Sequence, residues 1–194
     1  MKKSGKKNIE ITLHSSFDWA KDYLDAHVDR ECKGSFEFKV SEDVLYPVDA
    51  LGPVLLPIVP HIACPVCNAA YPIPGWDEFL DKHLSIQLLA NGRLLTTPQM
   101  RFLRMASGLT QVQVADRIDM ERTLYNKKES ESNHAHQFST SEQVQLKLFF
   151  AKEMGITDVD FIYDHIIKLE EKPGLVNLSR KEVEEFPPLK TALG

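Results

Sequence analysis

The sequence is poor in cysteine: Cys32, Cys64 and Cys67 are all it has in 194 residues, and an odd set of three argues against a disulfide framework. It also lacks any apolar run of the roughly 20 residues that a membrane-spanning helix requires. Residues 1–7 are basic, but Asn8, Glu10 and His14 follow where a signal peptide would place its apolar core, so a cytoplasmic chain is expected. Enzyme signatures are missing too. There is no P-loop, no Gly-rich dinucleotide fingerprint, no GxSxG elbow and no glycine-centred calcium loop. His83, His134, His136 and His165 read as solvated surface, and Asp158, Asp160 and Asp164 as the start and wet face of a helix. No enzyme is expected.

The net charge of −5 taken alone speaks against a nucleic-acid partner, but its distribution does not. Residues 93–128 carry seven cations (Arg93, Arg101, Arg104, Arg117, Arg122, Lys127, Lys128) against Asp116, Asp119 and Glu121. A basic block in an otherwise acidic chain is the pattern of one module that meets phosphates. An ordinary solvated surface is the alternative.

An apolar content of 43% is enough to build real cores, and the length suits two small domains. Alternation predicts a strand over residues 8–15, and Ser16 caps a helix to about Asp29. Phe36, Phe38 and Val40 alternate as another strand. Residues 44–63 are apolar but hold four prolines, which points to edge strands and turns. A helix is expected over Trp76–Leu89, ended by Asn91-Gly92.

Beyond residue 93 the chain reads as all helix. Thr97 is expected to cap a helix from Pro98 to Ala106, and Thr110 a second from Gln111 to Ile118. A third should run from Glu121 to about Glu129, followed by a polar loop over residues 130–138. Ser139 and Glu142 form a capping-box pattern for a helix to Met154, closed by Gly155. Another helix is expected over about Asp158–Glu171, stopped by Pro173-Gly174, and a short one at Ser179–Glu185 unless the tail is disordered. The expected organisation is α+β: a small β-rich N-terminal domain over residues 1–92, an all-α domain over 93–175, and a tail over 176–194.

Gly108 to Glu129 has the composition of a helix-turn-helix. Leu109, Val114, Ala115, Ile118, Met120 and Tyr125 are its packing positions, with Ala115 small where two helices must approach closely. Thr110 and Gln111 sit at a helix start, where free N–H groups suit a phosphate. Arg122, Thr123, Asn126 and Lys127 share one face of the third helix and carry the chemistry that reads base edges. The run MRFLRMASGLTQVQVADRI, with Glu129 in the closing position, resembles the Cro/C1-type helix-turn-helix family over about 35 residues. Asp119 stands where that family usually has glycine, Glu121 puts an acid at the helix start, and Lys128 replaces a common aromatic.

Cys64-Pro-Val-Cys67 has the spacing at which two thiolates share one zinc ion, although a redox pair or two buried small residues are alternatives. Cys32 is the only further cysteine, and His27 and His61 are the nearest candidates for a fourth ligand. A CPxC knuckle followed by a helix-turn-helix resembles the MqsA-type antitoxins, with the family's first CxxC pair missing here. The resemblance implies double-stranded DNA and a cognate toxin as partners, an autorepressor role, and zinc at Cys32, Cys64 and Cys67. A homodimer is expected through Val144, Leu146, Leu148, Phe149, Phe161, Ile162, Ile166 and Leu169, because paired modules read two half-sites. The alternative is an interaction adaptor whose helix-turn-helix no longer binds DNA.

Overall fold

A computed structural model describes residue 32 and residues 36–91, 94–130, 137–158, 162 and 178–187 of the chain. The strand expected over 8–15, the helix over 16–29, His27, Gly92-Arg93, most of the loop over 130–138 and nearly all of the helix expected over 158–171 lie outside these residues. The architecture is mixed α+β: a three-stranded antiparallel sheet precedes a series of helices. The chain forms two compact units. Among the described residues the first holds 32, 36–45, 55–79 and 178–187, and the second holds 46–54, 80–91, 94–130, 137–158 and 162.

Strands β1 (Glu37–Val48), β2 (Gly52–Ala63) and β3 (Ala70–Pro72) lie in that order in the sheet. The β1–β2 turn uses left-handed backbone at Ala50 and Gly52, with φ of 65° and 78°, and Leu51 N–H donates to the Val48 carbonyl at 3.2 Å. Residues 44–63 were expected to form edge strands and turns, and they are strand and turn. They run as the end of β1, one turn and a continuous twelve-residue β2. Pro53, Pro57 and Pro60 are tolerated because β3 pairs only with the end of β2, at His61↔Pro72, Ile62↔Tyr71 and Ala63↔Ala70. Among the described residues the strand has one neighbour before His61, so a missing N–H need not break a ladder.

The core of the first unit collects Phe38, Leu56, Ile58, Ile62, Ile73 and Trp76, all nearly solvent-free. The segment read as a tail contributes to the same unit. Ser179 caps a short helix by a capping box with Glu182, and Leu178, Val183 and Phe186 are buried. The Phe186 ring meets Trp76 edge-on at 5.2 Å and Phe79 at 5.1 Å, an aromatic trio that packs this segment into the unit.

Helix α1 (Trp76–Ala90) buries Trp76, Leu80, Leu84 and Leu88 at every fourth position, one helical stripe. Its residues to Phe79 belong to the first unit and those from Leu80 to the second. The second unit continues with α2 (Thr97–Ala106), α3 (Gln111–Arg117), α4 (Arg122–Ser130) and α5 (Thr140–Glu153), and α6 (Arg180–Glu184) is the tail helix of the first. The cap of α2 is Thr96 rather than Thr97, because Thr96 and Gln99 satisfy each other's backbone N–H groups in a capping box. Thr110 with Gln113 and Ser139 with Glu142 repeat the device on α3 and α5. Each such cap is worth about 1 kcal/mol, enough to fix where short helices begin.

Helix ends are set as sharply. Gly108 (φ 67°), Asp119 (φ 53°) and Gly155 (φ 72°) take the left-handed position after α2, α3 and α5. The next N–H in each case reaches back five residues: Leu109 to Arg104, Met120 to Ala115 and Ile156 to Ala151, at 2.8–3.1 Å. Met100, Phe102, Leu103, Val114, Ala115, Tyr125, Leu146 and Phe150 form the core between these helices. The buried Gln143 amide stitches it by accepting from Leu95 N–H at 2.7 Å and donating to the Leu95 and Phe138 carbonyls. Of the residues expected to form a dimer face, Leu146 is buried in this core and Val144, Leu148 and Phe149 are half-buried.

Candidate nucleic-acid interface and cysteine cluster

Helices α3 and α4 are joined by a turn of four residues whose direction is set by Asp119, and both α2 and α3 pack on α4. The spacing of α4 divides it into two faces. Tyr125 and Glu129 are buried, whereas Arg122, Thr123, Asn126 and Lys127 are exposed together. The hydroxyl of Thr123 donates to the Glu121 carboxylate, so the methyl is what it leaves to a partner. Asn126 Oδ1 accepts from Ser130 Oγ at 2.9 Å, which aligns the amide along the helix surface.

Thr110 and Gln111 are differently placed. The Thr110 hydroxyl is engaged with Gln113 in the α3 capping box, at 2.9 Å to Oε1. Gln111 Nε2 donates to Glu129 Oε2 at 2.5 Å. Both side chains therefore act within the fold in this structure.

Glu129 is the centre of a buried network that the sequence marks only as a closing position. Its Oε1 receives Arg104 Nε at 2.6 Å and the Tyr125 hydroxyl at 3.2 Å, while Oε2 receives Gln111. Arg104 Nη1 also donates to the Leu109 carbonyl at 2.7 Å, so one guanidinium ties α2, the loop after it and the end of α4. Burial, then the neighbouring Glu129 carboxylate, pushes the Tyr125 hydroxyl far above its ordinary range, which keeps it a donor. A cleft of about 430 Å³ lies beside this network, lined by Arg101, Arg104, Thr110, Gln111, Glu129 and Ser130.

Tertiary pairing changes the charge count. Arg104 is taken by Glu129, and Lys128 by Glu142 at 2.8 Å, the Gln137 carbonyl and the Phe138 ring. Burial raises the Glu142 carboxyl, but the bonds from Lys128 and Ser139 outweigh it and leave the group lowered. Arg101, Arg117, Arg122 and Lys127 remain exposed, with no salt bridge among the described residues. Asp116, Asp119 and Glu121 are exposed as well. Among the described residues of the block, four such cations thus stand with three exposed anions, so any attraction these residues have for phosphate depends on where the cations stand.

In the first unit, residues 64–69 form a tight knuckle. Asn68 N–H donates to the Cys64 carbonyl at 2.9 Å and Cys64 N–H to Ala69 at 2.8 Å, with Asn68 left-handed at φ 57°. Asparagine is one of the few residues to adopt that conformation readily, a sign of the knuckle that sequence reading passed over. Val66 N–H points at Cys64 Sγ at 3.4 Å. Burial raises the Cys64 thiol, but N–H donation from Cys67 and Val66, helped by the Cys32 and Cys67 side chains, brings it down to about 7.

Cys32, which the sequence places 32 residues away, reaches the same knuckle. Its Sγ lies 3.8 Å from Cys64 Sγ, and all three sulfurs fall within 4.8 Å of one another. A tetrahedron with Zn–S bonds of about 2.3 Å has S···S edges of about 3.8 Å, so the three thiols can hold a metal ion such as zinc. His61 lies outside this set; its Nδ1 is 3.4 Å from the Val59 carbonyl. No described helix is long and apolar enough to cross a membrane. Compared with protein-family models, curated proteins and solved structures, the chain matches none.

Proposed function

We propose that residues 97–130 form a helix-turn-helix of the Cro/C1 type that binds double-stranded DNA, and that the chain is a transcriptional repressor of the antitoxin type. The observation that carries this reading is α4, which buries Tyr125 and Glu129 and exposes Arg122, Thr123, Asn126 and Lys127 side by side. An amide that can pair with adenine, cations that can meet guanine or phosphate, and a methyl that can meet thymine are the functional groups for the major groove. Thr110, Gln111, Arg104 and Glu129 act in this reading as the scaffold that holds α4 at its angle. One helix-turn-helix buries too little surface for tight specific binding, so the active species is a homodimer on two half-sites. The first unit carries a zinc-class ion at the knuckle and, by the family resemblance, contacts a cognate toxin.

Alanine variants test the base-reading roles on a duplex from the chain's own promoter. Asn126→Ala and Lys127→Ala should each cost about 1–3 kcal/mol on that duplex and much less on random DNA. Arg122→Ala should weaken binding to both duplexes by similar factors. Equal losses on both duplexes for every variant would refute the base-reading assignment. The exposed Asp116, Asp119 and Glu121 favour a second reading, an adaptor without DNA affinity. It predicts binding to no duplex at any salt concentration.

A further inference from the structure

We infer that Glu121 and Ser130, at the two ends of α4, are positioning residues that fix Thr123 and Asn126 as readers of A·T base pairs. The inference rests on the DNA-binding reading above and extends it to the bases that the helix selects.

A helix backbone does not by itself aim a threonine or an asparagine. Helical threonine divides between two side-chain rotamers, and the amide of asparagine turns over a broad range about its last bond. In α4 each is held by a bond to another side chain. The Thr123 hydroxyl donates to the Glu121 carboxylate at the N-terminal end. At the C-terminal end, Ser130 Oγ donates to Asn126 Oδ1 at 2.9 Å. The second bond is not the usual one for serine. A serine at a helix end often returns its hydroxyl to the carbonyl four residues back, as Ser107 does to Leu103 at 2.8 Å. Ser130 instead serves the side chain four residues back. Glu121, Thr123, Asn126 and Ser130 are all exposed, so burial dictates neither bond.

The two bonds decide what is left outward. With its hydroxyl turned to Glu121, Thr123 offers its methyl. With Ser130 on one lone pair of Oδ1, the Asn126 amide keeps one lone pair and its N–H groups for a partner. That is an acceptor and a donor side by side. Adenine carries the matching pair in the major groove, the N6 donor and the N7 acceptor, and thymine adds its C5 methyl. Guanine presents two acceptors there and cytosine has no methyl, so a G·C pair matches neither group. At about 100° per residue, Asn126 and Thr123 stand between Arg122 and Lys127 around the helix. The A·T readers are therefore central, flanked by cations that suit guanine or phosphate. The acid at Glu121, which repels phosphate, gains a role in this arrangement.

The test selects duplexes with the full-length chain from a library whose central segment is randomised. Affinities are then measured by fluorescence anisotropy on the selected duplex and on single-base variants of it. The expected selection holds A·T pairs in each half-site. Replacing the read adenine by purine, which removes the N6 donor, should weaken binding about fivefold or more. Replacing the read thymine by uracil, which removes only the methyl, should weaken it about fourfold. Ser130→Ala should shrink the first factor to below about twofold and leave the second, whereas Glu121→Ala should do the reverse. Ser130→Thr and Glu121→Gln, which keep the hydroxyl and the acceptor, should restore both factors. Each readout is a ratio between two duplexes, so a change in stability or in general affinity cancels. Selected half-sites without A·T preference, or ratios that neither alanine variant changes, would overturn the inference and leave DNA binding standing. No duplex enriched over the library would overturn the DNA-binding reading and the inference with it.

Discussion

Replacing Glu129 by alanine is the perturbation that most directly tests the structural account of the second unit. The side chain is 1% exposed and bonds three groups from two other elements and its own helix: Arg104, Gln111 and Tyr125. Truncation leaves the Arg104 guanidinium, itself only 13% exposed, without its carboxylate. Breaking a buried ion pair from one side costs about 3–5 kcal/mol, because a desolvated charge stays uncompensated. With a urea dependence of about 2 kcal/mol/M, the midpoint should fall by about 1.5–2.5 M. The assay is urea unfolding followed by circular dichroism at the helix band, because α2 to α5 all lie in the second unit. Fluorescence of Trp76, which belongs to the first unit, should show a smaller shift. Replacing both partners, with Arg104→Met beside Glu129→Leu, should recover much of the loss because neither charge then remains buried. A midpoint shift below about 0.5 M for Glu129→Ala would refute the idea that this network holds α4 in place.

The left-handed backbone at Asp119 makes a second prediction. Asp119→Gly should stabilise the chain by about 0.5–1 kcal/mol in the same unfolding assay, whereas Asp119→Val should destabilise it by about 1–2 kcal/mol. If the chain binds DNA, the glycine variant should also bind more tightly, since it removes an acid from the exposed surface. Lys147 gives a pH dependence. Burial depresses its ammonium from the ordinary 10.5 to about 8, with Asn91 Oδ1 3.4 Å from Nζ. Between those values the unfolded chain holds the proton and the folded chain does not. Stability from this group should therefore rise with pH from about 8 to 10.5, with the burial penalty fully present below pH 8. Lys147→Met should abolish that rise and stabilise the chain at pH 7 by about 1–3 kcal/mol. A stability that is flat or falling across this range in the parent chain, when it is compared with the variant, would contradict the assignment.

Sequence reading reached furthest where local chemistry decides structure. The described helices of the second unit could be placed within a residue or two because Thr110 and Ser139 cap them and Gly108 and Gly155 close them. The shift from Thr97 to Thr96 was within reach, since Gln99 completes a capping box only with Thr96. The same Ser-x-x-Glu signal stands at Ser179 and Glu182. The prolines of β2 pointed to a strand with a free side, and among the described residues β3 pairs only with its end, but the strand's full twelve-residue length is a tertiary fact that they did not show. For the same reason the charge block over 93–128 overstated the free cations: pairing of Arg104 with Glu129 and Lys128 with Glu142 spans α2, α4 and α5. Cys64 and Cys67 announced their knuckle by spacing. The family resemblance implied Cys32 as their companion, and the fold brings its sulfur to 3.8 Å from that of Cys64.

The central claim is that α4 presents a DNA-reading surface, and one titration tests it most directly. Fluorescence anisotropy of the purified chain would be followed on a duplex from its own promoter and on a scrambled duplex, each at two salt concentrations. Arg101, Arg117, Arg122 and Lys127 are the exposed cations of α2 to α4 without a salt bridge among the described residues, and if all four meet phosphates they make log affinity per chain fall with log salt at a slope of about −3.6, each contact contributing about −0.9. The account predicts tighter binding to the promoter, weakening as salt rises. Absence of binding to both duplexes, or equal and salt-independent binding to the two, would contradict it.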